Sequence, residues 1–191
     1  GTADPGLNPN TGEGEKNTEF MYAVNAALVE VDVTTGKTKV LRYTTAADVG
    51  AIGNKLAVDG QAYGGLSHSI GFALSEDYHS DKKYGNIAGC GIPTIDMIPD
   101  DFNIIYNETP RKLGPHGSAG CSENFQCSGH MAVINAIYNA CGVRIYALPA
   151  TPDKVKAAYE AKQRGEDLTP PKYFLGSDFE EELEFIKANP L

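Results

Sequence analysis

Several kinds of residue and pattern are scarce in this sequence, and each absence narrows what the chain can be. Its 191 residues carry 16 Lys and Arg against 25 Asp and Glu, a formal net charge of −9, with no basic cluster. Because nucleic acids and anionic membranes bind clustered positive charge, we expect neither as a partner. No apolar run approaches the ~20 residues that cross a bilayer. No signal-peptide pattern is evident, so we expect a cytoplasmic protein.

Metal-binding and disulfide patterns are also lacking. The four cysteines include no CxxC pair, and the four histidines include no HExxH spacing. We therefore expect free thiols in a reducing compartment and no metal ion held by protein side chains. The cysteines are Cys90, Cys121, Cys127 and Cys141, and the histidines are His68, His79, His116 and His130.

The patterns that are present predict an α+β fold, in which a β-hairpin and a mixed sheet pack with helices. Val29, Val31 and Val33 alternate with acidic residues, which is typical of a half-buried strand, and a turn at 34–37 follows. The other predicted strands are 38–49, 102–108 and 143–148. The predicted helices are 55–76, 123–141 with Ser122 as N-cap, 152–165, and a last helix from a cap at 177–178 to about 188.

We divide the chain into an exposed lead-in over residues 1–18, a domain over 19–150 and a helical extension over 151–191. The lead-in consists of turn-forming and acidic residues without periodicity. Both helices of the extension are strongly charged, and we expect them to lie at the surface.

A glycine-rich stretch over residues 114–123, GPHGSAGCSE, is the first candidate site. It leads into a predicted helix start, where free backbone N–H groups and the helix dipole favour an anion. The same dipole would help to keep Glu123 ionised, so that this residue could serve as a general base. The alternative is that Glu123 only stabilises the helix, as acids in a first turn often do.

A second stretch, DGQAYGG at residues 59–65, places Gln61 on a surface of small residues. This suits the close approach of a flat, polar ligand, and the alternative is tight packing between helices. Hydrolase chemistry is a further alternative for the first stretch, with Ser118 and His116, or with Cys121 or Cys127 and His130. No GxSxG motif supports it.

Four segments resemble the C-terminal part of the molybdenum-binding region of the xanthine oxidase family, with bacterial aldehyde oxidoreductases as the nearest likeness. They follow one another along most of residues 20–155. They are VEVDVTTGKTKVLRYTTAADVG (29–50), GQAYGGLSHSIGFALSE (60–76), ETPRKLGPHGSAGCSENFQ (108–126) and ACGVRIYALPATPDKV (140–155).

The resemblance implies the oxidation of aldehydes to carboxylic acids with water as the oxygen source. It also implies a molybdenum cofactor in the form of molybdopterin cytosine dinucleotide. Glu123 resembles the glutamate that acts as the base beside the metal, and Gln61 resembles a glutamine that hydrogen-bonds the cofactor. The other residues that resemble cofactor contacts are Gly50, Asn54, Ser118, Ala119, Gly120, Cys121 and Ser122.

The sequence departs from the family pattern near the base. Ser122 stands where relatives usually carry Gly, and His116 and Asn124 stand where apolar residues are usual. Each difference is expected to alter the substrate pocket or the placement of Glu123.

Enzymes of this family also carry iron–sulfur domains with [2Fe–2S] clusters, and the sequence has no cysteine pattern for them. We therefore expect a C-terminal fragment or a separate subunit, inactive in isolation, in which residues 19–150 form the C-terminal molybdopterin-binding subdomain. Its partners would be the remainder of the enzyme and an aldehyde, with a homodimer as one possible assembly. The alternative is a non-enzymatic binding or scaffold domain that keeps the fold without the cofactor.

Overall fold

The computed structural model describes residues 8–14, 20–78, 85–168 and 179–188. The predicted α+β class is confirmed, because a three-stranded mixed sheet packs with helices. No helix within the described residues is long and apolar enough to cross a membrane. The elements are β1 (Tyr22–Val31), β2 (Thr38–Asp48), α1 (Lys55–Leu74), β3 (Asp101–Asn107), α2 (Ser122–Gln126), α3 (Gly129–Cys141), α4 (Pro152–Gln163) and α5 (Phe179–Ala188).

The predicted hairpin is present, and a β-bulge sets which of its residues face the core. β1 and β2 pair antiparallel, and β3 then pairs parallel with β2, so β2 is the central strand. The register shifts so that Leu41 has no partner on β1. This extra residue lets both Val40 and Tyr43 point into the core, where they are 2% and 0% exposed.

The turn between β1 and β2 is closed by its own side chains. Asp32 Oδ1 accepts hydrogen bonds from the backbone N–H and the hydroxyl of Thr34, at 2.9 and 2.7 Å, and Asp32 Oδ2 accepts one from the Thr35 hydroxyl at 2.8 Å. These bonds, with that of the Thr34 side chain first, lower the pKa of Asp32 to about 2. Gly36 has φ +77°, as the predicted turn requires.

The helices cover one face of the sheet and enclose the core. Tyr43 from β2, Leu66 and Ile70 from α1, and Val133 and Ile137 from α3 are each 0% exposed. A smaller apolar cluster follows toward the ends of β2 and β3, and it consists of Ala47, Val49, Ala62 and Phe125. The helices therefore hold the ends of β2 and β3 in a fixed relation to the start of α1.

One predicted helix and one predicted strand are wrong. Residues 123–141 do not form one helix, because α2 ends at Gln126 and α3 begins at Gly129. A Cβ at Gly129 would overlap the hydroxyls of Ser69 and Tyr43, so the break brings the α3 backbone into close contact with α1 and β2. Residues 143–148 form no strand. Val143 and the partly buried Ile145 pack against the helices, so their alternation does not reflect sheet pairing.

The start of α2 and the surface position of α4 also differ from expectation. Ser122 is the first helical residue rather than the N-cap, a position that Cys121 occupies without a side-chain hydrogen bond. α4 starts at Pro152 as predicted, yet it buries the stripe Val155, Ala158 and Ala161. Charged residues dominate the composition of α4 and conceal this stripe.

Some predictions lie outside the described residues. They are the lead-in at 1–7 and 15–18, His79, and the cap at 177–178. The described part of the lead-in, residues 8–14, is exposed. The division at residues 18 and 150 stays a prediction.

Candidate active site

Two of the predicted cofactor-binding loops lie side by side at the carboxyl ends of β2 and β3. Gly50 and Ser118 form an isolated antiparallel bridge. The backbone N–H of Ala119 donates to the Val49 carbonyl at 2.9 Å, and that of Ala51 donates to the Gly117 carbonyl at 2.9 Å. The structure therefore brings together two segments that are almost seventy positions apart in the sequence.

This pairing requires glycine at position 50. Gly50 has φ +69°, in the left-handed region that side chains other than glycine rarely adopt. A Cβ there would lie 2.5 Å from the Gly117 carbonyl oxygen and 2.9 Å from the Ala119 nitrogen. Gly50 therefore lets the backbones of the two loops approach each other closely. Its own N–H donates a hydrogen bond to Asp48 Oδ1 at 3.2 Å.

An ion pair that the sequence analysis missed holds these loops to the sheet. Asp48 Oδ1 accepts from the Arg111 guanidinium at 3.1 Å and from the Thr109 N–H at 3.2 Å. The hydrogen bond from the Thr109 side chain is the largest cause that lowers the pKa of Asp48 to about 2, and Gly50 and Arg111 add to it. The Arg111 side chain is 8% exposed and also donates to the Phe20 and Thr109 carbonyls, at 3.1 and 2.6 Å.

The signal for this pair in the sequence was weak. Asp48 stands two residues before Gly50, and Arg111 lies in the segment 108–126, which resembles the family. Neither position alone indicates that the two meet, because 63 residues separate them.

The loop from Gly50 to Asn54 is fixed in its middle and at its end. Glu108 accepts a hydrogen bond from the Ile52 N–H at 2.8 Å. Asn54 is the N-cap of α1, and its Oδ1 accepts from the Ala57 N–H at 3.1 Å. The carbonyl oxygen of the Asn54 side chain is therefore engaged within the protein.

The glycines of α1 divide into a packed set and an open set. A Cβ at Gly65 would lie 2.8 Å from the Phe125 Cβ and 3.2 Å from the Ser122 carbonyl oxygen, so this glycine lets α1 and α2 touch. Gly60 and Gly64 have no atom within 4 Å of such a Cβ. Tight packing therefore explains Gly65, whereas Gly60 and Gly64 leave an open surface.

Gln61 lies on the side of α1 that meets the start of α2. It is one turn before Gly65 and shares its face, since residues four apart in a helix lie above one another. The Ser69 hydroxyl donates to the Gln126 carbonyl at 3.1 Å, so α1 contacts α2 at Ser69 as well as at Gly65. Gln61 therefore lies one helical turn from the contact between α1 and α2.

Glu123 lies in the first turn of α2 and is exposed. No described residue forms a hydrogen bond or ion pair with its carboxylate. Because α2 has only five residues, its dipole is smaller than the predicted long helix would give. The backbone N–H groups of Gly120, Cys121 and Ser122 have no acceptor among the described residues. Glu123 therefore directly follows a segment with free backbone donors, and it does not begin a long helix.

The geometry does not support the hydrolase alternatives. The Ser118 hydroxyl donates to the Ala51 carbonyl at 2.6 Å and has no hydrogen bond to a described histidine. Burial raises the pKa of the Cys121 thiol, which disfavours the reactive thiolate. No group of three or more His, Cys, Asp or Glu residues in the described ranges is placed to hold a metal ion.

Comparison with known proteins identifies the family. The family model described as "Molybdopterin cofactor-binding domain" matches residues 2–99, about half of the chain. The chain belongs to the molybdopterin cofactor-binding domain family. Its resemblance to the molybdenum-binding region of the xanthine oxidase family is thereby confirmed.

Relatives of this molybdopterin-binding chain include two that are much longer than it is. The aldehyde oxidoreductase of Megalodesulfovibrio gigas is 50% identical over 151 residues, which cover 79% of this chain and 17% of the relative. The large subunit of nicotine 6-hydroxylase from Paenarthrobacter nicotinovorans is 34% identical, with 81% of this chain and 20% of the relative covered. The chain spans about a fifth or less of the length of these two relatives.

Solved structures agree with the molybdopterin-binding fold. The aldehyde oxidoreductase of Desulfovibrio desulfuricans superposes with a TM-score of 0.74 and 51% identity, covering 77% of this chain and 16% of that one. A copper- and molybdenum-containing CO dehydrogenase gives a TM-score of 0.65 over 82% of this chain and 21% of that chain. At 22% identity this second structure supports the fold alone.

Proposed function

We propose that this chain is part of a molybdenum hydroxylase that oxidises aldehydes to carboxylic acids, and that it supplies the catalytic base and one wall of the cofactor site. The observation that carries the proposal is the contact of Gly65 with Ser122, which joins the Gln61 segment to the helix turn bearing Glu123. The 50% identity to an aldehyde oxidoreductase supports the choice of reaction.

The residues present fit a molybdopterin group. A pterin with phosphate groups needs hydrogen-bond donors and a surface on which a flat ring can approach the backbone. The N–H groups of Gly120, Cys121 and Ser122, which find no acceptor in the described ranges, offer the donors, and the open backbone at Gly60 and Gly64 offers the surface. We propose the cytosine dinucleotide form, with the [2Fe–2S] clusters in other parts of the enzyme.

The predicted contact residues differ in whether their polar groups are free to bind a ligand or already bond within the protein. Gln61 is exposed and can donate to and accept from a polar ligand edge. Gly50, Ser118 and Ala119 are committed to pairing the two loops with each other and with β2, so their role is to shape the wall. Asn54 caps α1 and holds the end of the same wall.

Glu123 would take up a proton at its carboxylate. Oxidation of an aldehyde by water to a carboxylic acid releases two protons and two electrons. When bound, the molybdenum cofactor supplies the two-electron acceptor for this reaction. A carboxylate that lies close to the reacting water and has no protein partner can accept the first proton, and Glu123 has no partner among the described residues.

The remainder of the enzyme must supply what this chain does not. We propose that its partners are the other polypeptide segments or subunits of a cytoplasmic molybdenum hydroxylase, which would complete the cofactor site and carry the electrons away. We also propose an aldehyde as its substrate, and pairing of the assembled enzyme as a homodimer.

Metal analysis and isotope incorporation test the function. The native enzyme that contains this chain should hold one molybdenum per assembled unit. It should convert an aldehyde in ¹⁸O-water to a carboxylate that carries at least one ¹⁸O from the solvent, with a second where the aldehyde carbonyl has exchanged through its hydrate. An enzyme without molybdenum after expression with a sufficient cofactor supply would favour the scaffold alternative. A molybdenum enzyme that turns over no aldehyde would contradict the proposed substrate class.

A further inference from the structure

The sheet has one face on which none of the described helices packs. The helices pack on the other face, and apolar side chains of β1 and β3 stand in the open. Tyr22, Val24 and Leu28 on β1 are 64%, 74% and 54% exposed, and Ile105 on β3 is 57% exposed. We call the surface formed by Tyr22, Val24, Leu28, Ala46 and Ile105 the open sheet face.

The open sheet face has one apolar row, and the row beside it, Ala26–Thr44–Asn103, is apolar on β1 and polar on β2 and β3. Val24, Ala46 and Ile105 are directly opposite one another on the three strands and form a continuous apolar row. At one end of the sheet Asn107 donates to Asp48 at 3.0 Å, and at the other end Arg42 pairs with Asp101. Apolar side chains with polar groups around them are the usual composition of a protein–protein interface.

Sheets that face water are built differently. A strand with one solvated face alternates apolar and polar residues, whereas strands covered on both faces are apolar on both. β1 carries Val24 and Leu28 on the open face and Ala27 and Val29 on the covered face. β2 and β3 also pair parallel, an arrangement usually covered on both faces. The pattern therefore indicates a face that is covered in the working protein.

We propose that the open sheet face is where the remainder of the molybdenum hydroxylase packs against this chain, through an apolar surface of its own. The inference rests on the proposed function in taking the chain as part of such an enzyme. The chain covers 17% of the length of the M. gigas relative and 20% of that of the P. nicotinovorans relative, so four fifths or more of such a protein lies outside it.

The position of the face relative to the site supports this occupant over a second copy of the chain. One end of the open sheet face is at Asp48, which also anchors Arg111 and Gly50. Arg111 lies over the ring of Tyr22 at 5.9 Å from its centre. A segment that packs on this face therefore reaches the residues that hold the cofactor loops, where the missing wall of the site is needed.

Photo-crosslinking in the assembled enzyme identifies the occupant directly. Leu28 is replaced by the photoreactive residue p-benzoyl-phenylalanine, and Ala157, which is exposed on the charged helix α4, is replaced in the same way as a control. We expect a crosslinked peptide from outside these 191 residues at position 28, and none at position 157. Mixing isotopically heavy and light enzyme separates links within one enzyme from links to a second copy.

Other outcomes overturn the inference. A crosslink from position 28 to a second copy or to this chain itself would show a different occupant, and equal yields at positions 28 and 157 would show that the face is open. If the bulky residue prevents folding, Val24→Cys measured by thiol labelling replaces it, with Ala157→Cys as control. In the assembled enzyme we then expect the thiol at position 24 to resist labelling and the thiol at position 157 to be labelled. This difference should not depend on enzyme concentration, since a second copy would protect position 24 only at high concentration.

The crosslinking result and the proposed function can fail independently of each other. A crosslink to the remainder of the enzyme in a protein that binds no molybdenum would support the proposed interface and contradict the proposed hydroxylase activity. An active molybdenum enzyme without that crosslink would support the proposed activity and contradict the proposed interface.

Discussion

The two ends of the sheet are each closed by an aspartate whose pKa is lowered to about 2, but they are assembled differently. At the hairpin turn, Asp32 binds Thr34 and Thr35, two and three residues away. At the site end, Asp48 binds Thr109 and Arg111, about sixty residues away. The turn can therefore form from a short segment, whereas the site end forms only when β2, β3 and the glycine loop have come together.

The largest expected difference between the two ends comes from adding one methyl group. Gly50→Ala forces a left-handed backbone and overlaps the Gly117 carbonyl, at a cost of about 2–5 kcal/mol. Protection of the Ala119 amide against hydrogen exchange should fall accordingly. Gly36→Ala overlaps the Pro152 carbonyl at the other end and should loosen the turn while the Ala119 amide stays protected. Equal loss of Ala119 protection in both variants would remove the distinction.

The ion pair of the site end should contribute more to stability than a surface pair. Arg111→Ala leaves Asp48, which is 15% exposed, without its cation, and the expected cost is about 3 kcal/mol. Arg42→Ala breaks the pair with Asp101, in which both side chains are at least 42% exposed, and should cost at most about 1 kcal/mol. The free energy of unfolding of each variant measures both costs, and similar costs would contradict the anchoring role of Arg111.

The smallest expected effect is on titration. Because both aspartates have lowered pKa values when folded, their contributions to stability are complete above pH 3.8 and are lost as the pH falls through about 2. Arg111→Ala should raise the pKa of Asp48 and leave that of Asp32 unchanged. Carboxyl-carbon NMR titration of both groups is the measurement. If neither pKa moves, or both move together, the two ends are not independent.

The same contrast between local and distant contacts explains what the sequence could predict. The hairpin, its glycine turn and α1 were predicted because strand alternation, a turn glycine and the apolar residues of a single helix each lie within a short stretch of sequence. The break between α2 and α3 was missed because it depends on Ser69 and Tyr43, which contact Gly129 from other elements. The false strand at 143–148 has the same origin, since packing against helices copies the alternation of a strand.

The sequence predicted the candidate functional residues of the site but not the ion pair that holds its loops in place. Glu123 and Gln61 were selected from their motifs, and the structure places their segments together through Gly65 and Ser122. The contact of each predicted residue with the cofactor stays a prediction. The Asp48–Arg111 pair could not be found from the sequence, because nothing local marks two oppositely charged residues 63 positions apart as partners.

The most direct test of the account is the turnover of Glu123→Gln per bound molybdenum in the assembled enzyme. The variant keeps the size and polarity of the side chain and removes its ability to accept a proton, and Glu160→Gln, exposed on α4, is the matched control. We expect aldehyde oxidation per molybdenum to fall at least ~10²-fold in Glu123→Gln and to stay unchanged in the control. Turnover per molybdenum equal to that of the unmodified enzyme would contradict the assignment of Glu123 as the base.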